Sequence, residues 1–290
     1  MSACAIIALT AGCATPRTEP LAPPTPPRQF VNWPPLLDEF RFHWSAAPGI
    51  DITTGPALIA RAYLESYEIA WSTFNPEDVY RGFTRAVPES PPREGNYLVQ
   101  LVDLRPLSIP YSPTPADAVP QFGYEVLHFL ELTPVGDGYR AIVCSGNYAN
   151  FIESETHPGK FHAVDVDDRA GFPIPRGDSS VRVHRIEFTQ HDPRVGPNPP
   201  APMTTPQKGP APAPDQDVFG NWLITAASNN FWGPILDVQS ILSWPPDDLK
   251  RRCADAMPED EAQRRELTTG WKDAPPPHGA AVPGWPVDAH

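Results

Sequence analysis

Residues 124–145 read YEVLHFLELTPVGDGYRAIVCS, and they contain the clearest structural pattern in the sequence. Two runs rich in β-branched and aromatic residues, Tyr124–Thr133 and Tyr139–Ser145, flank the loop Pro134–Gly138, which contains two glycines. Runs of this kind joined by a short, glycine-containing loop are typical of a β-hairpin. The stretch therefore predicts two antiparallel strands.

His128 lies in the first of these strands and is a candidate catalytic residue. Strand alternation places it on the more apolar face of the strand, together with Val126 and Leu130. A histidine on such a face is usually a hydrogen-bonded core residue. The alternative is a polar group at the bottom of an apolar pocket, where a carboxylate such as Asp103 would let it act as a general base.

A helix is predicted before the hairpin. The segment Ala57–Ser72 contains no glycine or proline, its apolar residues recur at helical spacing, and Pro56 suits a helix start. Arg61, Glu65 and Glu68 lie opposite the wide apolar stripe. We expect the stripe to lie on a sheet and these charged residues to face away from it.

Further elements follow the same reasoning. Tyr97–Leu104 and Val181–Gln190 are rich in residues that favour strands, and short helices are predicted at Asp247–Ala254 and after Pro258. One early helix followed by several antiparallel strands is an α+β layout.

Composition excludes several classes of protein. The 290 residues carry a formal net charge of −13, which argues against binding to the phosphate backbone of nucleic acids. The 41 prolines exclude a compact helical bundle, because proline breaks helix interiors. A hydrophobic content of 40% excludes a wholly disordered chain.

Proline-rich segments suggest how the chain is divided. Their composition predicts an extended tether at residues 14–36, a long excursion over the surface at residues 191–217, and a mobile tail at residues 271–290. We expect a single domain over residues 37–270, because the part after the excursion is small for a separate core.

The N-terminus contains an apolar run, residues 3–12, that ends at Cys13. The sequence Leu9-Thr-Ala-Gly-Cys13 resembles the bacterial lipobox. The resemblance implies a signal peptide over residues 1–13 and lipid attachment at Cys13 through acyl chains such as palmitate. No lysine or arginine precedes the run, so the alternative interpretation is a chance Gly-Cys in a frayed terminus.

The four cysteines fit the lipoprotein interpretation. Cys4 would leave with the signal peptide and Cys13 would carry lipid, so that Cys144 and Cys253 remain. In an oxidising compartment these two are expected to form a disulfide bond. The alternative is that both are ordinary buried thiols.

Aromatic residues are concentrated between Val218 and Trp244. We expect this region to pack on the sheet or to form a ligand or partner surface, with the candidate residues Trp222, Phe231, Trp232 and Trp244. Four further tryptophans lie in or near proline-rich stretches, and we expect them to be exposed, stacking on the protein surface or contacting a glycan or lipid. They are Trp33, Trp44, Trp271 and Trp285.

No catalytic or cofactor motif is present in the sequence. The acidic run from Asp165 to Ala170 hints at a calcium loop, but Ala170 stands where an EF-hand loop needs glycine. We therefore interpret this run as a solvated turn and predict neither a metal site nor a cofactor.

Two resemblances summarise these features. The anchor, tether and body resemble the secreted lipoproteins of actinobacteria, many of unknown function. The helix and strands over roughly residues 55–190 are similar to the NTF2-like (cystatin-like) cone, which implies a helix packed on a curved antiparallel sheet over a pocket. A fold does not by itself define a function.

Three functions are therefore considered. The first is an exported, non-enzymatic, lipid-anchored protein, at the outer face of the cytoplasmic membrane or in the cell envelope, that binds an apolar ligand or an envelope protein. The second is an NTF2-like enzyme that uses His128 with Asp103. The third is an accessory or assembly subunit of a membrane complex.

Overall fold

A curled, seven-stranded sheet forms the centre of the structure, with the strand order β5-β4-β2-β3-β6-β7 and with β1 paired to β2. The computed structural model describes residues 30, 32–108, 113–166, 180–196, 200–237, 239 and 244–287, so that the predicted signal peptide and Cys13 lie outside the described residues. The strands are β1 Glu39–Ala46, β2 Phe122–Val135, β3 Gly138–Gly146, β4 Asn150–Glu153, β5 Phe161–Ala163, β6 Val181–Thr189 and β7 Leu223–Ser228. The helices are α1 Gly55–Thr73, α2 Phe83–Ala86, α3 Val99–Val102, α4 Asp247–Ala256 and α5 Glu261–Thr268.

The predicted hairpin is confirmed. β2 and β3 pair antiparallel, and only Gly136 and Asp137 separate them. Gly136 has a φ of 59°, a conformation that glycine adopts without strain. The strand predicted near Val181 is β6, which pairs with β3 along its whole length. The two short helices predicted in the last third of the chain are present as α4 and α5.

β1 is not predicted by the sequence, and its pairing differs from the expected antiparallel sheet. It runs parallel to β2, from Glu39 opposite Phe122 to Ala46 opposite Phe129, whereas all other pairings between described strands are antiparallel. Three consecutive residues of β1, Phe40 to Phe42, are buried. A strand covered on both faces loses the alternation that identifies strands in a sequence.

The two faces of the sheet carry different helices. Trp44 of β1 donates its indole N–H to Glu65 of α1 at 2.7 Å, and Trp44 lies opposite Leu127 of β2. We call this side of the sheet the α1 face. On the other side Cys144 of β3 packs in one cluster with Cys253 of α4, and we call that side the α4 face. Together these elements form three layers, which is an α+β architecture with a curved sheet.

Helix α1 is confirmed, but Arg61, Glu65 and Glu68, predicted to face away from the sheet, are buried or half-buried. Arg61 and Glu65 are 0% and 1% exposed. Burial is tolerated because Arg61 Nε donates to Glu65 Oε1 at 3.0 Å, one helical turn away. The remaining guanidinium nitrogens of Arg61 donate to the main-chain oxygens of Gln207 and Pro283.

The strand predicted at Tyr97–Leu104 is wrong, because residues Val99–Val102 form the short helix α3. An apolar run of this length does not distinguish a strand from a buried helical turn. Here Gly233 fixes the helical conformation: its carbonyl accepts from Val99 N–H, and its own N–H donates to the Gln100 side chain.

The predicted tail, residues 271–290, is part of the folded body over its described portion. Lys272 exchanges two main-chain hydrogen bonds with Phe161 of β5, at 2.8 and 3.0 Å. Val282 forms a parallel bridge with the outer edge of β1, because its N–H donates to Phe42 O and its carbonyl oxygen accepts from Trp44 N–H. The folded unit therefore extends beyond residues 37–270, starting at Asn32 and including the described tail.

Two further expectations about the proline-rich segments are corrected. Part of the predicted excursion is buried, since Ala211 and Ala213 are each 4% exposed and Ala211 bridges to Trp285. Three of the tryptophans predicted to be exposed are buried, with 2% exposure for Trp33, 5% for Trp44 and 0% for Trp285. Their large apolar area favours burial wherever the indole N–H finds an acceptor.

Candidate functional site

Polar side chains collect on the α1 face near one end of the sheet. Ser145 of β3 lies directly opposite Arg182 of β6, and opposite residues of paired strands share a face. His184 follows Arg182 on the same side of β6, and the Glu125 side chain of β2 is hydrogen-bonded to Ser145. With Glu68 of α1 these residues form a polar cluster between helix and sheet.

One buried contact of this cluster joins Ser145 and His184. Ser145 Oγ lies 2.8 Å from His184 Nε2, and the two residues are 2% and 4% exposed. Burial lowers the pKa of His184 to about 3, and the nearby Arg182 contributes to the shift. The imidazole is therefore neutral at physiological pH.

Three carboxyl groups share one guanidinium in the cluster. Burial raises the pKa of Glu125 well above its usual value, and the neighbouring Glu68 raises it further. Burial also raises the pKa of Glu68, although Arg182 opposes the shift. Arg182 Nη2 donates to Asp165 Oδ1 at 2.9 Å, and Asp165 also lies within electrostatic range of Glu68. The cluster thus has more acidic groups than basic ones.

Little space adjoins this cluster. A cavity next to His184, lined also by Tyr63, Tyr67 and Asp103, has a volume of about 20 Å³. A volume of this size holds about one water molecule. The described residues therefore leave no room for a substrate beside His184.

The structure does not bring together the two predicted catalytic residues. His128 is half-buried on the α4 face, because it lies opposite Cys144, and its Nδ1 lies 2.8 Å from Ser45 Oγ. Asp103 follows α3 and accepts from Arg93 Nη2 at 2.8 Å. No carboxylate is hydrogen-bonded to His128 among the described residues.

The residues of the predicted aromatic surface lie in two separate groups. Trp232 and Trp244 have ring centroids 6.0 Å apart, and the Arg185 guanidinium carbon lies 3.7 Å from the Trp232 ring. Phe231 beside them is 41% exposed. Trp222 does not join this group, because it is 7% exposed and packs against other aromatic rings, namely Tyr139 and Phe188.

A larger groove lies over the α4 face, between the sheet, α5 and the C-terminal segment. Its volume is about 540 Å³, and its lining includes Tyr124, Leu267, Pro275 and Pro276. Acidic side chains stand along it, and Glu259 is held in place by the hydroxyl groups of two tyrosines. These contacts are Tyr124 Oη to Glu259 Oε1 at 3.1 Å and Tyr148 Oη to Glu259 Oε2. Burial and the Glu259 carboxylate raise the pKa of Tyr124 to about 12.

Cys144 and Cys253 join the sheet to α4. Their Sγ atoms are 1.99 Å apart, the distance of a disulfide bond. The predicted pair therefore lies at disulfide distance. Within the described parts of the chain, no helix is both long enough and apolar enough to cross a bilayer.

Comparison with known proteins found no match: no family model, no curated protein and no solved structure is similar to this chain. The functional argument therefore rests on the geometry described above. Sequence reasoning missed Ser145, Arg182 and His184. The signal it contained is that Arg182 and His184 occupy alternate positions of β6, between the apolar residues Val181, Val183 and Ile186 and on one face of the strand.

Proposed function

We propose that the chain is an exported, lipid-anchored envelope protein that acts as a non-enzymatic binding module. In this proposal Cys13 carries the lipid and holds the protein at the outer face of the cytoplasmic membrane. The pairing of Cys144 with Cys253 supports export, because disulfide bonds persist in oxidising compartments and are rare in the cytosol.

The groove on the α4 face is the observation that carries the binding role. Its volume of about 540 Å³ falls within the range typical of ligand sites, whereas the cavity beside His184 holds about 20 Å³. The apolar wall of Leu267, Pro275 and Pro276 is suited to an extended apolar segment.

We assign the groove to an extended segment of an envelope partner protein that carries a basic residue. Glu259 and Glu266 line the groove, and the chain as a whole has a net charge of −13. Among the lining residues Lys272 alone is basic, and its Nζ donates to the main-chain oxygen of Glu266. The electrostatic field therefore favours a cationic segment.

An NTF2-like body is part of the proposal, supported by the packing of α1 on one face of the curled sheet. The enzymatic alternative has less support. His128 and Asp103 each have a different partner, Ser45 and Arg93. The third function, an accessory subunit of a membrane complex, would be a special case in which the partner belongs to such a complex.

Crosslinking from the groove tests the binding role. Gln263 lines the groove and is exposed, so a photoreactive residue at this position is expected to give one discrete adduct in membranes of cells that express the full chain. Glu261 lies on the same helix, is exposed and is not part of the lining, which makes it the matched control position. Equal adducts at both positions, or none at Gln263, would contradict the binding role.

The intact mass of the membrane-extracted protein tests the anchor. We expect removal of the residues before Cys13, an added mass of acyl chains, and a loss of about two daltons for the disulfide bond. The variant Cys13→Ala is expected to lack the acyl mass and to leave the membrane fraction. Full-length, unmodified protein in the cytosol would exclude the lipoprotein proposal.

A further inference from the structure

Three buried side-chain oxygens near the polar cluster have no hydrogen-bond partner. They are Asn147 Oδ1, Asn150 Oδ1 and Asp165 Oδ2. Asn147 and Asn150 are 7% and 4% exposed, so solvent does not satisfy their amide oxygens. A buried acceptor without a donor is costly, and a group of them calls for an explanation.

Main-chain hydrogen bonds tie these residues to one small region. Asn150 N–H donates to Asn147 O at 3.0 Å, and Val164 N–H, one residue before Asp165, donates to Asn150 O at 3.0 Å. The three residues therefore lie in adjacent segments at the same end of the sheet.

The orientation of the side chains is consistent with a common site on the α1 face. Asn150 lies opposite Gly123, two residues before Glu125 on β2, and Asn147 is the first residue of the turn after β3, where its N–H donates to Ser180 O, two residues before Arg182. Asp165 reaches the same side, because it bonds to Arg182, the residue opposite Ser145.

The charge of the region favours a cation. Asp165, Glu125 and Glu68 are accompanied by a single guanidinium, that of Arg182. Arg182 bonds to Asp165 Oδ1, which leaves Oδ2 as an acceptor without a donor. A cation at Oδ2 would supply the partner that this carboxylate oxygen lacks.

We propose that Asn147, Asn150 and Asp165 form a binding site for a hard divalent cation of the calcium class. Carboxylate and amide oxygens are the ligands that such cations prefer. No set of three or more His, Cys, Asp or Glu side chains in the described regions is arranged to hold a metal, and this site differs by taking two of its ligands from asparagine amides. It goes beyond the proposed binding role and does not depend on it.

Three protein oxygens are fewer than the six to eight that calcium takes, so the site is expected to be weak. An affinity in the range of about 10⁻⁴–10⁻³ M is typical of calcium sites in extracellular modules. Saturating calcium is then expected to raise the melting temperature by roughly 2–4 °C.

Calorimetric titration of the full chain in detergent with CaCl₂ tests the site directly, alongside melting curves in CaCl₂ and in NaCl of equal ionic strength. We expect saturable binding of one calcium ion per chain and a calcium-specific rise in melting temperature. If neither is observed, the proposal is overturned and the three oxygens are satisfied by internal water.

Variants locate the ion. The double variant Asn147→Ala/Asn150→Ala is expected to lose calcium binding at least tenfold, whereas Asn221→Ala keeps it. Asn221 is a suitable control because its amide oxygen is already bonded to Gln190. Unchanged binding in the double variant would overturn the proposal.

A charge-adding variant keeps the test decisive even where the double variant does not fold. Asn150→Asp retains the ligand oxygen and adds a negative charge. It is expected to melt at a lower temperature than the unaltered protein without calcium and to gain more from saturating calcium. The same response to CaCl₂ as to NaCl would count against the site.

Discussion

Trp285 donates its indole N–H to Glu65 Oε2 at 2.7 Å, across 220 residues of the chain. The same carboxylate accepts from Trp44, Arg61 and Tyr80 at 2.6 to 3.0 Å. Four donors compensate for the water that Glu65 loses when it is buried. The Arg61 guanidinium also lies 3.9 Å from the Trp285 ring, so the C-terminal segment is an integral part of the core around α1.

Removal of the Trp285 side chain is expected to destabilise the whole protein. Trp285→Ala creates a cavity and takes one donor from the buried Glu65, so the free energy of unfolding should fall by about 3–5 kcal/mol. Urea denaturation measures the loss. Trp285→Phe keeps an aromatic ring without the N–H and should be affected less. Equal stability of the alanine variant and the unaltered protein would show that the contact does not contribute.

The bond between Cys144 and Cys253 is expected to stabilise the chain strongly. It closes a loop with a sequence separation of 109 residues, and restriction of the unfolded chain is worth up to about 5 kcal/mol in the entropic account. Denaturation with and without a reductant is the measurement. The double variant Cys144→Ala/Cys253→Ala should not respond to the reductant. An unaltered protein with the same denaturation midpoint in both conditions would contradict this expectation.

His184 is expected to make the protein sensitive to acid. Its pKa is about 3 in the folded state against an ordinary value of 6.5, because burial disfavours the charged imidazole. The unfolded chain therefore takes up a proton first, and stability is lost as the pH falls below 6.5. Between pH 7 and pH 4.5 the loss should be about 2–3 kcal/mol.

The variant His184→Gln should lose this part of the pH dependence. The exposed His191→Gln serves as the control and should keep it. Urea denaturation at several pH values measures the difference. Parallel curves for His184→Gln and the unaltered protein would argue against a neutral buried imidazole.

Glu125 is expected to change the pH dependence of stability in the direction opposite to that of His184. Burial and the neighbouring Glu68 raise its pKa in the folded state, so its contribution to stability is present below the ordinary glutamate pKa of 4.5 and is lost as the pH rises. Glu125→Gln imitates the protonated carboxyl group. The variant should match the unaltered protein near pH 4 and become progressively more stable than it towards pH 7. A variant that is less stable at pH 7 would show that the charged form is favoured.

Patterns within a short stretch of sequence predict those elements whose stabilising contacts are also close in sequence. The hairpin of β2 and β3 is recognisable because its strands and its turn are adjacent in sequence. β1 is not recognisable, since its partner β2 begins far along the chain and both of its faces are covered. α3 resembles a strand because a short apolar run has no detectable period, and its contact with Gly233 is distant in sequence.

The candidate sites were also difficult to predict, because they depend on contacts between residues that are distant in sequence. Arg61 and Glu65 look like the solvent side of a helix, because the donors that permit their burial come from remote segments such as Trp285. The pairing of Ser145 with His184 depends on the register of β3 against β6, which no local motif specifies. The groove requires the C-terminal segment, whose proline content resembles that of a mobile tail.

That segment also has a protective role. Lys272 occupies the main-chain groups of β5, and Val282 occupies those of the outer edge of β1. Unpaired strand edges are templates on which another chain can add a strand and start an aggregate. A protease cut before residue 272 would uncover two such templates at once, so the proline-rich end shields the sheet against assembly with its own copies.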